Sequence, residues 1–330
     1  MSEYGAIGVQ MPSSNSPKTS WRTAGLSQRQ SMTASFTRFW RKTYASDYAG
    51  LAALITAYIL IIIFVEPFHR MFTLDNVSIQ YPHALHERVP VPWLFILAAG
   101  VPLVVIILWA AILRHSAHRA HVTILALLTS LILTSFLTDV IKNAVGRPRP
   151  DLLSRCKPAP GTPGSTLVDF TVCTEKDHHT LHDGFRSFPS GHSSFSFAGL
   201  GFLALFLSSQ LRVFRPRVDL ARVLVALAPL LGAALIAFSR LQDYRHDVWD
   251  VTSGSVLGML VAYTTWRRYY PGLRSRKCAE PWPNPVDVLV GSSKGKRRDE
   301  EDLVGVRASD AEEFELADES GDEMLGEGRR

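Results

Sequence analysis

The stretch YAGLAALITAYILIIIFV occupies residues 48–65 and contains no charged side chain. A helix needs about 20 mostly apolar residues to cross the hydrocarbon core of a bilayer. The first three of six such stretches meet that length, whereas the last three are shorter and contain Ser, Thr and Gly. Because six stretches in one chain are improbable in a soluble core, we expect an all-α integral membrane bundle of six transmembrane helices. The other five lie at roughly residues 93–113, 122–141, 195–211, 223–238 and 251–266.

Charge is distributed unevenly along the 330-residue chain, in which 47% of residues are hydrophobic and 20% are charged. Residues 299–330 hold 13 of the 30 acidic residues and only 3 of the 35 basic ones, so residues 1–298 carry a net charge of +15. That surplus favours an anionic membrane face or anionic substrates. Nucleic acid is a poor fit, because the basic residues lie in short membrane-flanking loops and not along one helix or stripe.

Composition also predicts the domain organisation. We expect a disordered cytosolic tail at residues 1–46, rich in Ser, Thr, Gln and Gly, and a six-helix domain at residues 47–270. Residues 271–330 form a second cytosolic tail, which is acidic and disordered from residue 299 because it has dense charge and few aromatic residues.

Lys and Arg in the connections between the apolar stretches predict the orientation. One side, which includes the flanks of both tails, receives 14 of them, and the other side receives 4 plus 7 in the loop at residues 142–192. Setting that loop aside, the bias places both tails in the cytosol and the loop in a lumen or outside the cell. We expect a multi-pass protein of an endomembrane (vacuole, Golgi or ER) or of the plasma membrane.

Three cysteines exclude a disulfide-rich scaffold, and no Cys/His spacing is typical of zinc. Cys156 and Cys173 lie in the predicted lumenal loop, where an oxidising compartment would allow a bridge, although two free thiols are the alternative. His178, His179 and His182 in the same loop match no metal-ligand spacing, so a solvated polar loop is the interpretation there.

Polar residues gather where four apolar stretches meet the predicted lumenal boundary. With six alternating spans, the ends of the third and fifth and the starts of the fourth and sixth share one face, so these clusters converge on one site. In chain order the clusters are Lys142 with Arg147 and Arg149, then Ser190, Gly191 and His192, then Ser239 with Arg240, then His246 with Asp250.

The residue types in these clusters point to phosphoryl transfer. Several cationic groups that face one small volume need an anion, and a planar Arg fork matches phosphate oxygens bidentately. Ser190 and Gly191 stand where a helix begins, so free backbone N–H groups can face the same anion. His246 and Asp250 are spaced i, i+4 on one helix face, so the carboxylate can hold one imidazole nitrogen while the other acts as nucleophile or base. His192 can supply the acid.

Each cluster alone has an ordinary structural interpretation. Arg and Lys at a helix end usually mark a membrane flank whose side chains extend toward the headgroups. Pro-Ser-Gly-His alone is an ordinary helix start, and a His/Asp pair at i, i+4 is more often a structural hydrogen bond. The joint occurrence on one face favours the catalytic interpretation.

These residues resemble the motifs of the type 2 phosphatidic acid phosphatase superfamily, also called lipid phosphate phosphatases. The resemblance covers roughly residues 48–270, and the stretches FTLDNVSIQYP and DGFRSFPSGHSS look most like fungal diacylglycerol pyrophosphate phosphatases. Three patterns are complete and in order: Lys-x6-Arg-Pro from Lys142 to Pro150, Pro-Ser-Gly-His from Pro189 to His192, and Ser-Arg-x5-His-x3-Asp from Ser239 to Asp250.

The resemblance implies a six-helix membrane enzyme that needs no cofactor and no metal, with its active site at the lumenal membrane boundary. It implies that His246 is the nucleophile, that His192 protonates the leaving group and that Asp250 orients His246. Arg147 lies outside the patterns and has no implied role. The phosphate-binding residues implied are Lys142, Arg149, Ser190, Gly191 and Arg240.

The expected activity is metal-independent hydrolysis of phosphomonoester or pyrophosphate groups of phosphatidate, diacylglycerol pyrophosphate and lysophosphatidate through a phosphohistidine. The expected partners are therefore a phosphorylated lipid and the bilayer. The alternatives are a phosphatase for polyisoprenoid diphosphates or sphingoid base phosphates, or a catalytically inactive membrane scaffold. Family members that are inactive lose motif residues, and none is missing in this sequence.

Overall fold

Six long helices and two short ones make up most of the chain that the computed structural model describes, residues 44–114 and 116–283. Nearly all of the predicted N-terminal tail and the whole acidic segment from residue 299 lie outside the described residues. The long helices are α1 (Ala45–Phe64), α2 (Val91–Ile112), α3 (Ala117–Val145), α6 (Gly191–Gln210), α7 (Leu220–Gln242) and α8 (Val248–Tyr269), and the short ones are α4 (Leu152–Cys156) and α5 (His178–Asp183).

The all-α prediction is confirmed for the described residues, which contain only isolated β-bridges and no strand. Each predicted apolar stretch coincides with one long helix, and the two sets of boundaries differ by at most five residues. Most helices extend beyond the apolar stretch into polar sequence. For example, α3 begins at Ala117, where the Ser116 side chain accepts a hydrogen bond from the N–H of Arg119. Hydropathy does not register such a cap, because the capping residues are polar.

Five of the long helices, α1, α2, α3, α6 and α7, are long and apolar enough to cross a membrane. The helix α8 is long enough, at 22 residues, but its mean hydropathy is lower than that of the five helices above. The protein is thus a helical membrane protein, and a sixth crossing stays a prediction.

The helix α6 is the centre of the bundle. It packs against α2, α3, α7 and α8, and nearly every residue from Ser193 to Ser209 is buried. The helix α1, in contrast, has no buried residue, and large apolar side chains such as Ile63 and Phe64 are exposed. Exposed apolar surface of this extent suits contact with lipid, because a membrane does not penalise it as water does.

Small residues let the helices around α6 approach closely. A Cβ atom on Gly199 of α6 would overlap the backbone of Ala98 in α2, and a Cβ atom on Gly258 of α8 would overlap the backbone of Ser194 in α6. Close backbone approach at small residues is typical of helix pairs in membranes, where van der Waals packing is a main source of association. These two contacts hold the N-terminal half of α6 in place.

The two loops on the α6 N-terminal side form a small core of their own, which we call the loop core. Its buried members are Phe72 and Ile79 from the α1–α2 loop and Leu152, Cys156, Leu181 and Phe185 from the α3–α6 loop. Backbone hydrogen bonds between Phe72 and Val168 join the two loops. The loop core therefore fixes polar residues of both loops relative to the helix ends.

The helix contact at Gly199 yields a stability prediction. We expect Gly199→Ala to destabilise the full chain in detergent by about 1–3 kcal/mol, because overpacking forces the α2 backbone to move. The matched control is Gly50→Ala in α1, where an added Cβ meets no atom within 4 Å. Thermal unfolding measures both, and equal melting temperatures for the two variants would contradict the close contact.

Candidate active site

The first motif begins in the last turn of α3 and continues into the loop beyond it. Gly146 ends the helix in the left-handed conformation, with φ of 58°, and its N–H donates to the carbonyl of Lys142. A side chain there would also overlap the Phe68 backbone, so glycine suits the position on two grounds. The chain then reverses, and the N–H of buried Arg149 donates to the carbonyl of Gly184 at 2.8 Å.

The second motif forms the N-terminus of α6. Ser190 is the N-cap, and its side chain accepts hydrogen bonds from the N–H and the hydroxyl of Ser193. Its own N–H donates to the carbonyl of Asp250 at 2.9 Å, which ties this helix start to α8. Gly191 faces the ammonium group of Lys142, whose Nζ would lie 3.1 Å from a Cβ at this position. Two motifs thus meet at the helix start.

The third motif spans the turn between α7 and α8. Arg240 lies in the last turn of α7 and is 1% exposed, and His246 lies in the turn itself. Asp247 and Asp250 form a capping box at the start of α8. The Asp247 side chain accepts a hydrogen bond from the backbone N–H of Asp250, and the Asp250 side chain accepts one from the backbone N–H of Asp247. This cap fixes the direction in which α8 leaves the site.

The three motifs surround one cavity of about 500 Å³. Six of the eight predicted catalytic and phosphate-binding residues line it; Ser190 and Asp250 are fully buried and are not part of the lining. The hydroxyl of Ser190 is engaged in capping, so Gly191 is the member of its motif that meets the cavity. The six residues are Lys142, Arg149, Gly191, His192, Arg240 and His246.

Two carboxylates that sequence reasoning missed neutralise the arginines of the cavity. Glu87, from the α1–α2 loop, pairs with Arg240 at 3.1 Å, and Asp183, from α5, pairs with Arg149 at 2.7 Å. Burial would raise the pKa of Asp183, but Arg149 and Arg155 outweigh that effect and lower it far below its usual range. Both carboxylates come from loops, so no motif spacing could have placed them there.

A third missed residue, Arg245, directly precedes His246 and lines the same cavity. Its Nη2 lies 2.8 Å from Oε1 of Glu87, and its Nη1 lies 3.9 Å from Oδ2 of Asp183. Its sequence signal was its position beside the motif histidine, which the three-part pattern does not include.

The histidine and aspartate of the third motif come close without a hydrogen bond. Nδ1 of His246 lies 3.6 Å from Oδ2 of Asp250 and has no hydrogen-bond partner among the described residues. Instead, Asp250 accepts from Arg147 Nη1 at 2.8 Å and from the Ser187 hydroxyl at 2.5 Å. Arg147, which the sequence left without a role, thereby holds Asp250 and also pairs with Asp247 at 2.8 Å.

Burial and charge both keep the His246 imidazole neutral. Burial lowers its pKa well below the usual range, and the positive charges of Arg149, Lys142 and Arg240 lower it further. A neutral imidazole retains the lone pair that a nucleophile needs.

His192 lies across the cavity with one ring nitrogen already engaged. Its Nε2 lies 3.0 Å from the carbonyl of Val89 and 3.9 Å from Oε2 of Glu87. A carbonyl can only accept, so Nε2 carries the hydrogen in this arrangement. The Nε2 hydrogen is therefore held by the backbone carbonyl in this arrangement, beside the cavity that His192 lines.

One wall of the cavity is apolar. Val91, Leu94 and Phe95 from the start of α2 face the cavity together with Phe195 of α6. The polar wall and the apolar wall meet at the N-terminus of α6. Such a cavity can hold an anion on one side and hydrocarbon on the other.

Two further features lie in the α3–α6 loop. Cys156 and Cys173 are joined by a disulfide, with their Cα atoms 4.6 Å apart. Ring nitrogens of His178 and His182 and a carboxylate oxygen of Glu66 lie within 4.8 Å of one another. The spacing within the loop did not predict this group, because Glu66 belongs to the segment that follows α1. Glu66 and His178 are exposed, His182 is half-buried, and none of the three lines the cavity.

Comparison with known proteins places these motifs in a family. Residues 123–272 match the PAP2 superfamily. The chain is 43% identical over 229 residues to "Probable diacylglycerol pyrophosphate phosphatase 1" of Schizosaccharomyces pombe, covering 69% of this chain and 82% of that protein. It is 42% identical over 258 residues to "Diacylglycerol pyrophosphate phosphatase 1" of Saccharomyces cerevisiae, covering 77% and 86%, and 39% identical over 233 residues to "Lipid phosphate phosphatase 2" of Arabidopsis thaliana, covering 68% and 77%. No solved structure matches the chain.

The three motifs are complete and surround one cavity, and the chain matches these relatives over most of their length. The chain therefore belongs to the PAP2 superfamily.

Proposed function

We propose that this protein is a metal-independent lipid phosphatase that hydrolyses phosphomonoester or pyrophosphate groups of phosphatidate, diacylglycerol pyrophosphate and lysophosphatidate. The observation that carries the proposal is the cavity in which the three motifs meet, with cationic side chains on one side and an apolar wall on the other. The names of the relatives support the same substrate class.

In this proposal, His246 forms the phosphoenzyme. Its Nδ1 faces Asp250, so Nε2 attacks phosphorus and the bond from phosphorus to the leaving oxygen breaks. The electron pair of that bond goes to the leaving oxygen, which takes a proton from His192. Water then attacks phosphorus and loses a proton to His192. The bond between phosphorus and Nε2 of His246 breaks, its electron pair returns to the imidazole, and inorganic phosphate leaves.

The cationic side chains stabilise the charge that develops on the transferred phosphoryl group. Arg149 and Arg240 offer planar guanidinium groups, and Lys142 adds an ammonium group that has no ion-pair partner in the described part of the chain. Preorganised donors in a partly dehydrated site are worth far more than the same donors in water. This charge set does the work that a divalent ion does in other phosphatases.

The function is tested by phosphate release from phosphatidate in detergent micelles containing EDTA. We expect turnover by the purified full chain with EDTA and none by His246→Ala. The function would be wrong if phosphatidate, diacylglycerol pyrophosphate and lysophosphatidate were all inert, as for an inactive scaffold. Faster turnover of an isoprenoid diphosphate would favour the alternative lipid. Metal independence would be wrong if activity required an added divalent ion.

We also propose that α8 is the sixth crossing and that the cavity opens at the lumenal or extracytoplasmic boundary, with both tails cytosolic. The short connection from Gln242 to Val248 makes α7 and α8 antiparallel, so the end of one and the start of the other share a face. The Lys and Arg bias supports that orientation.

The proposed topology can be tested with inserted glycosylation acceptors. A glycosylation acceptor inserted after exposed Gly161 should be modified in the lumen, whereas one inserted near Lys294 should remain unmodified. A shift in gel mobility that is sensitive to glycosidase reports each outcome. Modification of the second insertion alone would invert the topology and place the cavity in the cytosol.

The second prediction separates the two histidines. His246→Ala should abolish turnover of every substrate, because no phosphoenzyme can form. His192→Ala should lose about 100- to 10,000-fold on phosphatidate, the usual range for general acid catalysis, but much less on an aryl phosphate such as nitrophenyl phosphate. The reason is that a nitrophenolate leaves readily without a proton. Equal losses on both substrates would show that His192 is not the leaving-group acid.

The third prediction concerns Arg147. Arg147→Gln should lower kcat about 10- to 100-fold, the value of one charged hydrogen bond, because Asp250 loses the partner that holds it beside His246. It should also move the acidic limb of the kcat/KM profile to higher pH, because Asp250, no longer paired with Arg147, then favours the protonated imidazole of His246, which lies 3.6 Å away. Lys157→Gln, which removes an exposed ion pair with Glu175 in the same loop, is the control. A loss of kcat with an unshifted profile in Arg147→Gln would contradict this role.

A further inference from the structure

The cavity contains more positive charge than the three motifs supply. Five cationic side chains and three carboxylates line it among the described residues, which leaves a formal surplus of two positive charges. Three of the cations belong to the motifs. The other two, Arg155 and Arg245, belong to none of them, and they are largely buried.

Several buried N–H groups of these arginines lack partners. Nη2 of Arg155, Nε of Arg240 and Nε of Arg245 have no hydrogen-bond partner within the described residues. A buried donor without an acceptor costs free energy, and more so when it is charged. All three atoms are shielded from solvent, so an additional anion reaches them only where a neighbouring side chain gives way.

Glu87 marks where that additional anion can bind. Its carboxylate spans Arg240 at 3.1 Å and Arg245 at 2.8 Å, and one of its oxygens lies 3.9 Å from Nε2 of His192. A carboxylate held between these two arginines shows that an anion can contact a motif cation, Arg245 and the proposed leaving-group acid together. That position is on the leaving-group side of the site, because His192 faces it.

We propose that Arg245, together with Arg155, forms a second phosphate subsite, which binds the lipid-proximal phosphate of a diacylglycerol pyrophosphate while the motif residues bind the terminal phosphate. The inference rests on the proposed function and names the substrate feature that the same cavity selects. The lipid-proximal phosphate takes the place of the Glu87 carboxylate between Arg240 and Arg245.

The subsite has a direct chemical consequence. When His246 attacks the terminal phosphorus of a pyrophosphate, the bond to the bridging oxygen breaks and its electron pair goes to the lipid-proximal phosphate, which leaves as phosphatidate. The developing charge lies beside Arg245, which stabilises it in the transition state. When phosphatidate itself is the substrate, the leaving oxygen belongs to glycerol, so the subsite has no phosphate to bind. The loss of Arg245 should therefore affect the pyrophosphate substrate more than phosphatidate.

The kinetic test compares Arg245→Gln with the wild-type full chain on two lipids with the same acyl chains. Release of the terminal phosphate from diacylglycerol pyrophosphate, followed by a label on that phosphate, should fall roughly 10- to 100-fold in kcat/KM, the effect of one charged hydrogen bond. Hydrolysis of phosphatidate should fall by a clearly smaller factor, because that substrate places no second phosphate beside Arg245. Arg245→Lys should recover part of the pyrophosphate activity, because charge remains while the planar fork is lost. Arg70→Gln, at an exposed arginine outside the cavity, should change neither rate.

Equal losses on both lipids, or no loss on the pyrophosphate, would overturn the subsite. A binding measurement keeps it distinct from the proposed function, because it needs no turnover. Titration of inorganic pyrophosphate into the full chain in detergent should show at least about tenfold weaker binding to Arg245→Gln, with phosphate binding nearly unchanged. If no lipid phosphate is hydrolysed but this difference is observed, the proposed function fails and the anion subsite stands. If pyrophosphate binds both proteins equally, the subsite is wrong whatever the activity.

Discussion

Mutual repulsion among cationic side chains in one cavity is the constraint on which the rest of this structure depends. Lys142, Arg149 and Arg240 line a cavity whose lining also includes apolar side chains. Low dielectric strengthens the repulsion among them, and an unpaired buried charge is costly. Carboxylates from two loops offset it, since Glu87 pairs with Arg240 and Asp183 pairs with Arg149. The loops are thus part of the site and not merely connections.

The fold holds this arrangement at two levels. In the bundle, α6 is buried among four other helices, and close contacts at Gly199 and Gly258 fix the height of its N-terminus. On the loop side, the loop core joins the two segments that carry the carboxylates, and the disulfide between Cys156 and Cys173 closes part of the α3–α6 loop. The helix ends therefore supply the cations, and the loops supply the compensating charge.

Sequence predicted the parts that have a period or a fixed spacing. Apolar stretches gave the six long helices, and the motif spacings identified six residues that meet at one cavity. The remaining features have neither signal. Glu87 reaches Arg240 across 153 residues of chain, and Arg147 reaches Asp250 across 103. Such contacts depend on how loops pack after the helices are in place, which no local pattern encodes. Ser190 illustrates the converse case, because its motif position is right while its hydroxyl is used for the helix cap.

The carboxylates also limit which anions can enter. A group that enters the motif site must replace the contact that Glu87 makes with Arg240, since weakening the pairing of that buried guanidinium is unfavourable. A fatty-acid carboxylate offers two oxygens and the same charge as Glu87, so the exchange would gain little. A phosphate offers three oxygens and about −1.5 to −2 charges near neutral pH, so it can replace that contact and still meet the other cationic side chains that line the cavity. Discrimination between phosphorylated and unphosphorylated lipids then follows from the charge that the protein already holds in the cavity, and the apolar wall needs only to accept the acyl chains.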